Sequence, residues 1–347
     1  MENRNNKTND KTGKKKIWPW ISVIAVVVVT AAVGLIAAKV TTNKGKSNIP
    51  QSQTGAEADQ SEWGNRLTYK GKNYRKNENI STVLFVGVDQ NSEDQWDDFG
   101  DATQGVIGNS GRADSIILFV LDDETRTTKM LLISRDTMTQ VDVYDKAGKY
   151  AFSTQNHLNM QYSYGDSPSK SLFLMKRTVG DLLYKIRIDG ALSLTMDGIS
   201  KIVDLLGGIP LTMAEDYSYI DERYTEGATV TLDGKEMEHF IRYRDTNEFA
   251  SNEKRVARQS WLIGEVFQYL KKTGAMSFIE DIIDKHPDYI EADVDGELLK
   301  KLSKYKIESE KLRLPGENVQ GEKYDEFHVD EGALQDMIVS LLYVPAE

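Results

Sequence analysis

The chain contains no cysteine among its 347 residues. Disulfide bonds, thiolate zinc sites and thiol catalysis are therefore excluded, and stability has to come from the burial of apolar side chains. Only four histidines are present, and their spacing matches none of the common zinc-binding motifs. The sequence also lacks the motifs of serine hydrolases and of nucleotide-binding loops, so these classes of enzyme have no support.

A surplus of basic residues is missing as well, because the formal net charge is -11 at pH 7. The basic residues that stand out are six lysines and arginines among residues 1–16. The rest of the chain is therefore even more acidic than the total indicates. This balance argues against general nucleic-acid binding, and we expect no nucleic-acid partner.

One long hydrophobic run stands out, IWPWISVIAVVVVTAAVGLIAAKV at residues 17–40. Its uncharged part spans roughly 30 Å as a helix, which is the thickness of a bilayer's hydrocarbon core. We predict an uncleaved transmembrane helix, and the alternative is a signal peptide, whose apolar region is usually shorter. The basic residues 1–16 form a predicted cytoplasmic tail, which directs the remaining chain to the outside of the cell.

The segment after the apolar run is polar and rich in Ser, Thr, Gly and Gln, which is typical of a flexible spacer. We assign residues 41–75 to this extracellular spacer. Residues 76–347 form the predicted folded domain.

Three apolar runs predict the centre of this domain. STVLFVGVD at residues 81–89 is a predicted strand buried on both faces. Residues 115–122 and 128–134 are two further runs, joined by a short polar turn, and predict a β-hairpin. If the turn centres between residues 124 and 125, Asp114 and Arg135 lie opposite each other where the two strands end.

The remaining pattern alternates between strands and helices, which favours a layered α/β domain. A short strand is predicted near residues 191–196. Helices are predicted at residues 169–183, 198–206, 232–243, 252–273, 277–284, 295–305 and 331–342.

Four arginines, Arg242, Arg244, Arg255 and Arg258, lie within HFIRYRDTNEFASNEKRVARQ at residues 239–259. On a helical wheel, Arg255 and Arg258 share the stripe that becomes apolar in later turns, where arginine is seldom buried unless it is paired. The alternatives are a first turn that projects into solvent and an anion site at a helix start. Arg242 and Arg244 converge only if the chain leaves its helix at that point.

Two acids occupy the ends of predicted buried strands, Asp89 and Asp114. Ligands of open α/β sheets collect at strand ends, and carboxylate oxygens there suit a hard cation such as Mg²⁺. The alternative for each is an ordinary turn residue. Asp136 is either a loop residue or a third acid of the site, and we favour the structural role.

Seven segments, in order along the chain, resemble the LytR-CpsA-Psr family. They are VGVD (86–89), RADS (112–115), SRDT (134–137), HLNMQYSYG (157–165), VDLLGGIPL (203–211), LDGKEMEHFIRYR (232–244) and RVARQ (255–259). The arrangement of basic tail, membrane helix, spacer and external domain is similar too. Seven segments in one order are far more specific than any of them alone.

The resemblance implies an α/β fold, an α-β-α sandwich with a central mixed sheet, in a domain on the surface of a Gram-positive cell. It implies an enzyme that transfers a glycopolymer, such as a teichoic acid or a capsular polysaccharide, from an undecaprenyl-pyrophosphate carrier to peptidoglycan. The new bond would be a phosphodiester to a muramic acid hydroxyl. Mg²⁺ is the implied cofactor, with Mn²⁺ as an alternative.

The resemblance also assigns roles to single residues. Asp89 and Asp114 match acids that hold the metal, and Arg135 matches the arginine beside the reacting phosphorus. The positions that grip the phosphates are matched by Arg242, Arg244, Arg255 and Gln259. Arg258 matches no such position, so we expect it to support the loop or a neighbouring acid.

Two departures from the family pattern concern the second segment and the loop before it. The usual R-S-D-T is replaced by RADS at residues 112–115, which keeps the acid and a hydroxyl, and residues 90–111 are long and acidic. These changes bear on the choice of polymer or acceptor more than on the chemistry. The rival functions are a non-catalytic binder of polyprenyl phosphate or anionic polymer, and a transcriptional regulator, which the predicted external location disfavours.

Overall fold

The structure, a computed structural model, describes residues 65–89, 111–145, 148–243, 251–274, 289–321 and 324–346. All of these residues belong to one compact unit. The predicted transmembrane helix at residues 17–40 and the predicted helix at 277–284 lie outside the described residues. Within the described ranges, no helix combines the length and the apolar character needed to cross a bilayer.

The described strands and helices alternate along much of the chain. The strands are β1 (Arg66–Tyr69), β2 (Lys72–Lys76), β3 (Ile80–Asp89), β4 (Arg112–Asp122), β5 (Thr127–Ile133), β6 (Met138–Tyr144), β7 (Tyr150–His157), β8 (Gly190–Thr195), β9 (Ile209–Thr212), β10 (Thr229–Leu232), β11 (Ile290–Asp293), β12 (Lys306–Arg313), β13 (Gly316–Gln320), β14 (Asp325–Val329) and β15 (Tyr343–Pro345). The helices are α1 (Met160–Ser163), α2 (Pro168–Leu182), α3 (Met196–Leu205), α4 (Gly234–Arg242), α5 (Ser251–Thr273), α6 (Gly296–Lys304) and α7 (Glu331–Leu342).

A six-stranded mixed sheet forms the centre, in the order β11-β8-β3-β4-β5-β12. The strands β3, β4 and β5 are antiparallel neighbours, whereas β8 runs parallel to β3 and β12 runs parallel to β5. Because β3, β4 and β5 are the apolar runs of the sequence, they occupy the middle of the sheet, where both faces are buried. The predicted mixed sheet is confirmed.

Helices cover both faces of this sheet. Leu84 and Val86 of β3 face a cluster that includes side chains of α2 and α7. The alternate residues Val83 and Phe85 face a cluster that includes side chains of α6. This alternation follows from the two-residue period of a strand and gives the layered α-β-α arrangement.

A third cluster joins α3, α4 and α5 to the small hairpin β9–β10. Asp233 begins α4 with a capping box, in which its side chain accepts from the backbone of Glu236 and Glu236 reaches back in return. The helix ends at Arg242, since Tyr243 has the extended angles φ -52° and ψ 129°. The sequence analysis required the chain to leave its helix near Arg242 if Arg242 and Arg244 were to converge. The structure meets this condition, since the chain leaves the helix at Tyr243.

Three further hairpins were not predicted from the sequence, β1–β2, β6–β7 and β13–β14. The hairpin β1–β2 lies within the residues assigned to the spacer, 41–75, so regular structure begins before residue 76. No residue of β1, β2, β7 or β13 is fully buried, so these strands lack the apolar runs that marked β3, β4 and β5. The predicted helices within the described residues agree with the structure to within two residues at each end. Helices were predictable because their buried faces repeat at the helical period.

Candidate active site

A β-bulge at the end of the pair β3–β4 shapes the site. Gly87 pairs with Ser115 and Val88 pairs with Ala113, so Asp114 is the extra residue on β4. A Cβ atom on Gly87 would lie 3.0 Å from the Cβ of Ser115, so the glycine permits the close approach of the strands. A bulge bends its strand and redirects a side chain, and here that side chain is the buried carboxylate of Asp114.

Two arginines hold the Asp114 carboxylate. Arg135 donates from Nη1 to Asp114 Oδ1, and Arg255 Nη1 lies 3.5 Å from Asp114 Oδ2. The predicted hairpin register is confirmed, since Ile116 pairs with Ile133 and Asp114 meets Arg135 beyond that pair. Arg135 reaches the carboxylate from the end of β5, and Arg255 reaches it from the first turns of α5.

Asp136 completes the surroundings of Arg135. Its Oδ1 lies 3.3 Å from Arg135 Nε, and its backbone carbonyl accepts a hydrogen bond of 2.9 Å from the backbone of Phe327. Asp136 thus has the structural role that we favoured, and it also supports the arginine of the site.

Burial and charge oppose each other at Arg135 and Asp136. Burial acts to lower the pKa of Arg135, but attraction to Asp114 and Asp136 outweighs it and the pKa is raised. Burial raises the pKa of the Asp136 carboxyl, although the charge of Arg135 acts in the opposite direction. Arg135 stays charged, and its side chain is 19% exposed, so part of the guanidinium can meet a ligand.

Asp89, at the end of β3, is paired with Arg242, at the end of α4. Arg242 Nη1 lies 2.8 Å from Asp89 Oδ1, and Arg242 Nε lies 3.0 Å from Glu238 Oε1, one turn earlier in the helix. Both Asp89 and Arg242 remain partly exposed, at 25% and 30% of their side chains. The end of α4 is therefore fixed at the same edge of the sheet as Asp114.

Gln259 ties three elements together. Its Oε1 accepts a 2.9 Å hydrogen bond from Ser115 Oγ of β4, and its Nε2 donates to the carbonyl of Ile241 in α4 at 3.2 Å. The side chain is buried, so α5 is docked on β4 beside Asp114 and on α4 beside Arg242. The family resemblance assigned Gln259 to a phosphate-binding position, whereas the structure shows this docking contact.

Arg258 stabilises the end of α4. Its Nε donates to the carbonyl of Phe240 at 2.9 Å, its Nη2 donates to the carbonyl of Tyr243, and its guanidinium lies 5.5 Å from the centre of the Phe240 ring. A cation suits the carbonyl end of a helix, where the dipole is negative. Arg258 thus supports the start of the loop at Tyr243, as expected, and its hydrogen bonds go to these carbonyls and to the hydroxyl of Tyr219.

The arrangement places guanidiniums and carboxylates from distant parts of the chain at one edge of the central sheet. A comparison of the sequence with known families gives a match to the LytR_cpsA_psr family over residues 36–341, which is most of the chain. The chain belongs to the LytR-CpsA-Psr family. The resemblance stated from seven short segments is confirmed.

Several curated relatives of this family member are teichoic acid transferases by name. The polyisoprenyl-teichoic acid–peptidoglycan teichoic acid transferase TagU of Bacillus licheniformis is 29% identical over 163 residues, 47% of this chain and 44% of that protein. TagV of Bacillus subtilis, which carries the corresponding name, is 25% identical over 222 residues, 61% of this chain and 49% of that protein. The chain spans about half the length of these relatives.

The fold comparison agrees with the family assignment. The crystal structure of Bacillus subtilis TagU aligns with a TM-score of 0.53 at 20% identity, covering 76% of this chain and 96% of that chain. At this identity the likeness shows the α/β fold of the LytR-CpsA-Psr family and nothing about the site.

Most of the site residues predicted for this LytR-CpsA-Psr protein lie together in the structure, although their roles stay predictions. Those brought together are Asp89, Asp114, Arg135, Arg242, Arg255 and Gln259. Arg244 lies outside the described residues. The sequence did not predict the hydrogen bond from Ser115 to Gln259. It had indicated only that Ser115 keeps the hydroxyl group found next to the acid in the family motif.

Replacing Arg258 with Met should lower the free energy of unfolding by about 2–3 kcal/mol, because the carbonyls of Phe240 and Tyr243 lose a charged donor. Equilibrium urea unfolding, followed by tryptophan fluorescence, measures the change. The matched control is Arg223→Met, which removes an exposed arginine paired with Asp221 and Glu236 and should cost clearly less, because exposed ion pairs contribute little to stability. Equal losses of unfolding free energy in the two variants would contradict the stabilising role of Arg258.

Proposed function

We propose that this protein transfers a cell-wall glycopolymer of the teichoic acid type from an undecaprenyl-pyrophosphate carrier to peptidoglycan, forming a phosphodiester. The observation that carries the proposal is the cluster of Arg135, Arg242 and Arg255 with Asp89 and Asp114 at the ends of adjacent strands. The family assignment and the names of its relatives TagU and TagV support it. Capsular polysaccharide is the alternative polymer.

Guanidiniums suit the donor of this reaction. A pyrophosphate diester carries two negative charges, and arginine presents parallel N–H groups that match phosphate oxygens. Arg135 is partly exposed and is paired with Asp114, so we assign it to the reacting phosphorus. Arg242 and Arg255 bind the phosphate oxygens from the two helices, with Arg244 and Gln259 assigned to the same group by the family pattern.

A divalent cation would add positive charge to the described cluster. Three guanidiniums, Arg135, Arg242 and Arg255, contact four acids, Asp89, Asp114, Asp136 and Glu238. Taken alone, these charged groups do not sum to a positive site for an anionic donor. A divalent cation would reverse the balance.

The donor set fits Mg²⁺, with Mn²⁺ as the alternative. Asp89 and Asp114 offer carboxylate oxygens from neighbouring strand ends, which are the ligands that hard cations prefer. No group of three or more metal-binding side chains is found among the described residues, so phosphate oxygens and water would supply the remaining ligands. When bound, the cation would neutralise charge that develops on the phosphate oxygens.

The transfer then needs one displacement at phosphorus. The acceptor hydroxyl oxygen forms a bond to the phosphorus that carries the polymer, and the bond from that phosphorus to the bridging oxygen breaks. Undecaprenyl phosphate leaves, and Arg135 stabilises the charge that builds on the departing oxygens. The proton of the acceptor hydroxyl passes to a carboxylate of the site, Asp89 or Asp114.

A non-catalytic binder of polyprenyl phosphate or anionic polymer is the second candidate. Such a binder gains nothing from carboxylates beside its guanidiniums, since they weaken the attraction for an anion. The buried Asp114, held between Arg135 and Arg255, therefore favours the enzyme.

We place this protein in the cell membrane of a Gram-positive type surface. The support is the apolar run at residues 17–40, with the basic tail of residues 1–16 on its cytoplasmic side. The catalytic domain then lies outside, where peptidoglycan is found.

Arg135→Ala should lower the turnover number by about 10²–10³, because it removes a group that stabilises the developing charge. The assay is the release of polyprenyl monophosphate from a lipid-pyrophosphate sugar by the full-length chain in detergent with Mg²⁺. Arg187→Ala is the control, since this arginine is 74% exposed and belongs to no part of the site. Full turnover by the folded Arg135→Ala protein would refute the assigned role.

Chelation with EDTA should abolish the same turnover, and added Mg²⁺ or Mn²⁺ should restore it. Asp89→Asn should raise the Mg²⁺ concentration for half-maximal rate, because an amide is a weaker ligand than a carboxylate. Asp293→Asn, at an exposed site on β11, is the matched control. A rate that survives EDTA, or an unchanged Mg²⁺ requirement in Asp89→Asn, would exclude the metal assignment.

A reporter enzyme that is active only in the cytoplasm should stay inactive when fused to the C-terminus of this chain. A second reporter, active only outside the membrane, should work in the same position. The opposite result would overturn the proposed orientation.

A further inference from the structure

A cleft of about 720 Å³ is lined by residues that do not belong to the arginine cluster. Its walls are the hairpin β6–β7, the C-terminal end of α2 with Tyr184, and the segment from β14 to α7. This volume lies within the range of about 300–1,000 Å³ that small-molecule sites occupy. None of the residues that line it belongs to the candidate active site.

The hairpin side of the cleft carries a row of polar side chains. Gln140 pairs with Gln155 and Asp142 pairs with Ser153 across the two strands, so all four project from one face. The opposite face of β6 carries Val141, which is buried in the core. Primary amides both donate and accept hydrogen bonds, which suits the hydroxyl and N-acetyl groups of a glycan.

The other side of the cleft carries a fixed aromatic ring. Tyr184 has a φ of +61°, a conformation that bulky residues rarely adopt, and tertiary contacts hold it there. Its hydroxyl donates to the carbonyl and the carboxylate of Glu331 at 3.0 and 2.5 Å. A ring that is fixed beside polar groups is suited to packing against the C–H face of a sugar.

The charge of the cleft excludes a polyanion. Its lining contains Asp142, Asp181 and Glu331, and the basic partner of Asp142 is Arg177. A polymer with a phosphate in every repeat would be repelled there, whereas an uncharged glycan backbone would not. The charge of the cleft therefore favours the uncharged glycan of the acceptor over the anionic polymer of the donor in the proposed reaction.

The cleft begins next to the candidate active site. Met138 lines it and is the third residue after Arg135, a separation of at most about 10 Å in an extended chain. Thr137, between them, forms a β-bridge with Phe327, which directly precedes His328 and Val329 of the cleft wall. The wall of the cleft is thus continuous, through Thr137, with the segment that carries Arg135.

We propose that this cleft binds the glycan backbone of the peptidoglycan acceptor and presents its hydroxyl to the arginine cluster. The inference rests on the proposed function, since it assigns a place to the acceptor of that reaction. Gln140 and Gln155 are positioning residues, because they hold the acceptor without touching the reacting atoms.

The test uses the full-length chain in detergent and a tetramer of β-1,4-linked N-acetylglucosamine as the probe. Isothermal titration calorimetry measures its affinity for the wild type and for the double variant Gln140→Ala, Gln155→Ala. We expect about a tenfold weaker affinity in the double variant, from the loss of two sets of hydrogen bonds. Gln320→Ala, an exposed amide on the hairpin β13–β14 outside the cleft, should bind like the wild type.

A second measurement separates this inference from the proposed function. Cleavage of the lipid-pyrophosphate donor with water as the acceptor should be unchanged in the double variant, whereas transfer to glycan should need more acceptor for half-maximal rate. If no protein cleaves the donor but tetramer binding still depends on Gln140 and Gln155, the phosphotransfer proposal fails and the glycan cleft stands.

Three results would overturn the inference. They are the absence of tetramer binding by the wild type at millimolar concentration, equal affinity in the wild type and the double variant, and a loss of poly(glycerol phosphate) binding in the double variant. The last result would make the donor polymer, rather than the acceptor glycan, the occupant of the cleft.

Discussion

The ion pair of Asp114 with Arg135 and Arg255 is the constraint on which the site depends. A carboxylate that is 6% exposed is costly to bury unless it is paired, and here both of its oxygens meet guanidiniums. Arg135 follows β5, and Arg255 lies in the first turns of α5. Both ion pairs therefore form only when the hairpin β4–β5 and the helix α5 are correctly placed relative to each other. The bulge at Asp114 is what turns the carboxylate towards them.

The same logic explains why α4 and α5 meet at this edge. Arg258 and Gln259 are consecutive residues that donate to carbonyls of Phe240, Tyr243 and Ile241 at the end of α4. Unpaired carbonyls at a helix end need donors, and buried donors need acceptors, so each side satisfies the other. As a result the end of α4 is fixed, which brings Arg242 against Asp89.

The sequence was sufficient for those parts of the fold that follow from apolar periodicity. The strands β3, β4 and β5 and the meeting of Asp114 with Arg135 were predictable, because a short polar turn between two apolar runs sets the register. The bulge at Asp114 was not, since an extra residue leaves no mark in an apolar run. Gln259 was placed at the site by resemblance, but its docking contact depends on a tertiary approach that no local pattern encodes.

Positive and negative groups are separated at this end of the molecule, although the chain as a whole has a net charge of -11. Three guanidiniums meet at one sheet edge, where acids hold them, while Asp142, Asp181 and Glu331 line the neighbouring cleft. In the proposed reaction, the guanidiniums together with a bound cation would attract the phosphates of the donor, whereas the carboxylates of the cleft would repel an anionic polymer. On that proposal, charge would help to keep the donor polymer out of the cleft proposed for the acceptor glycan.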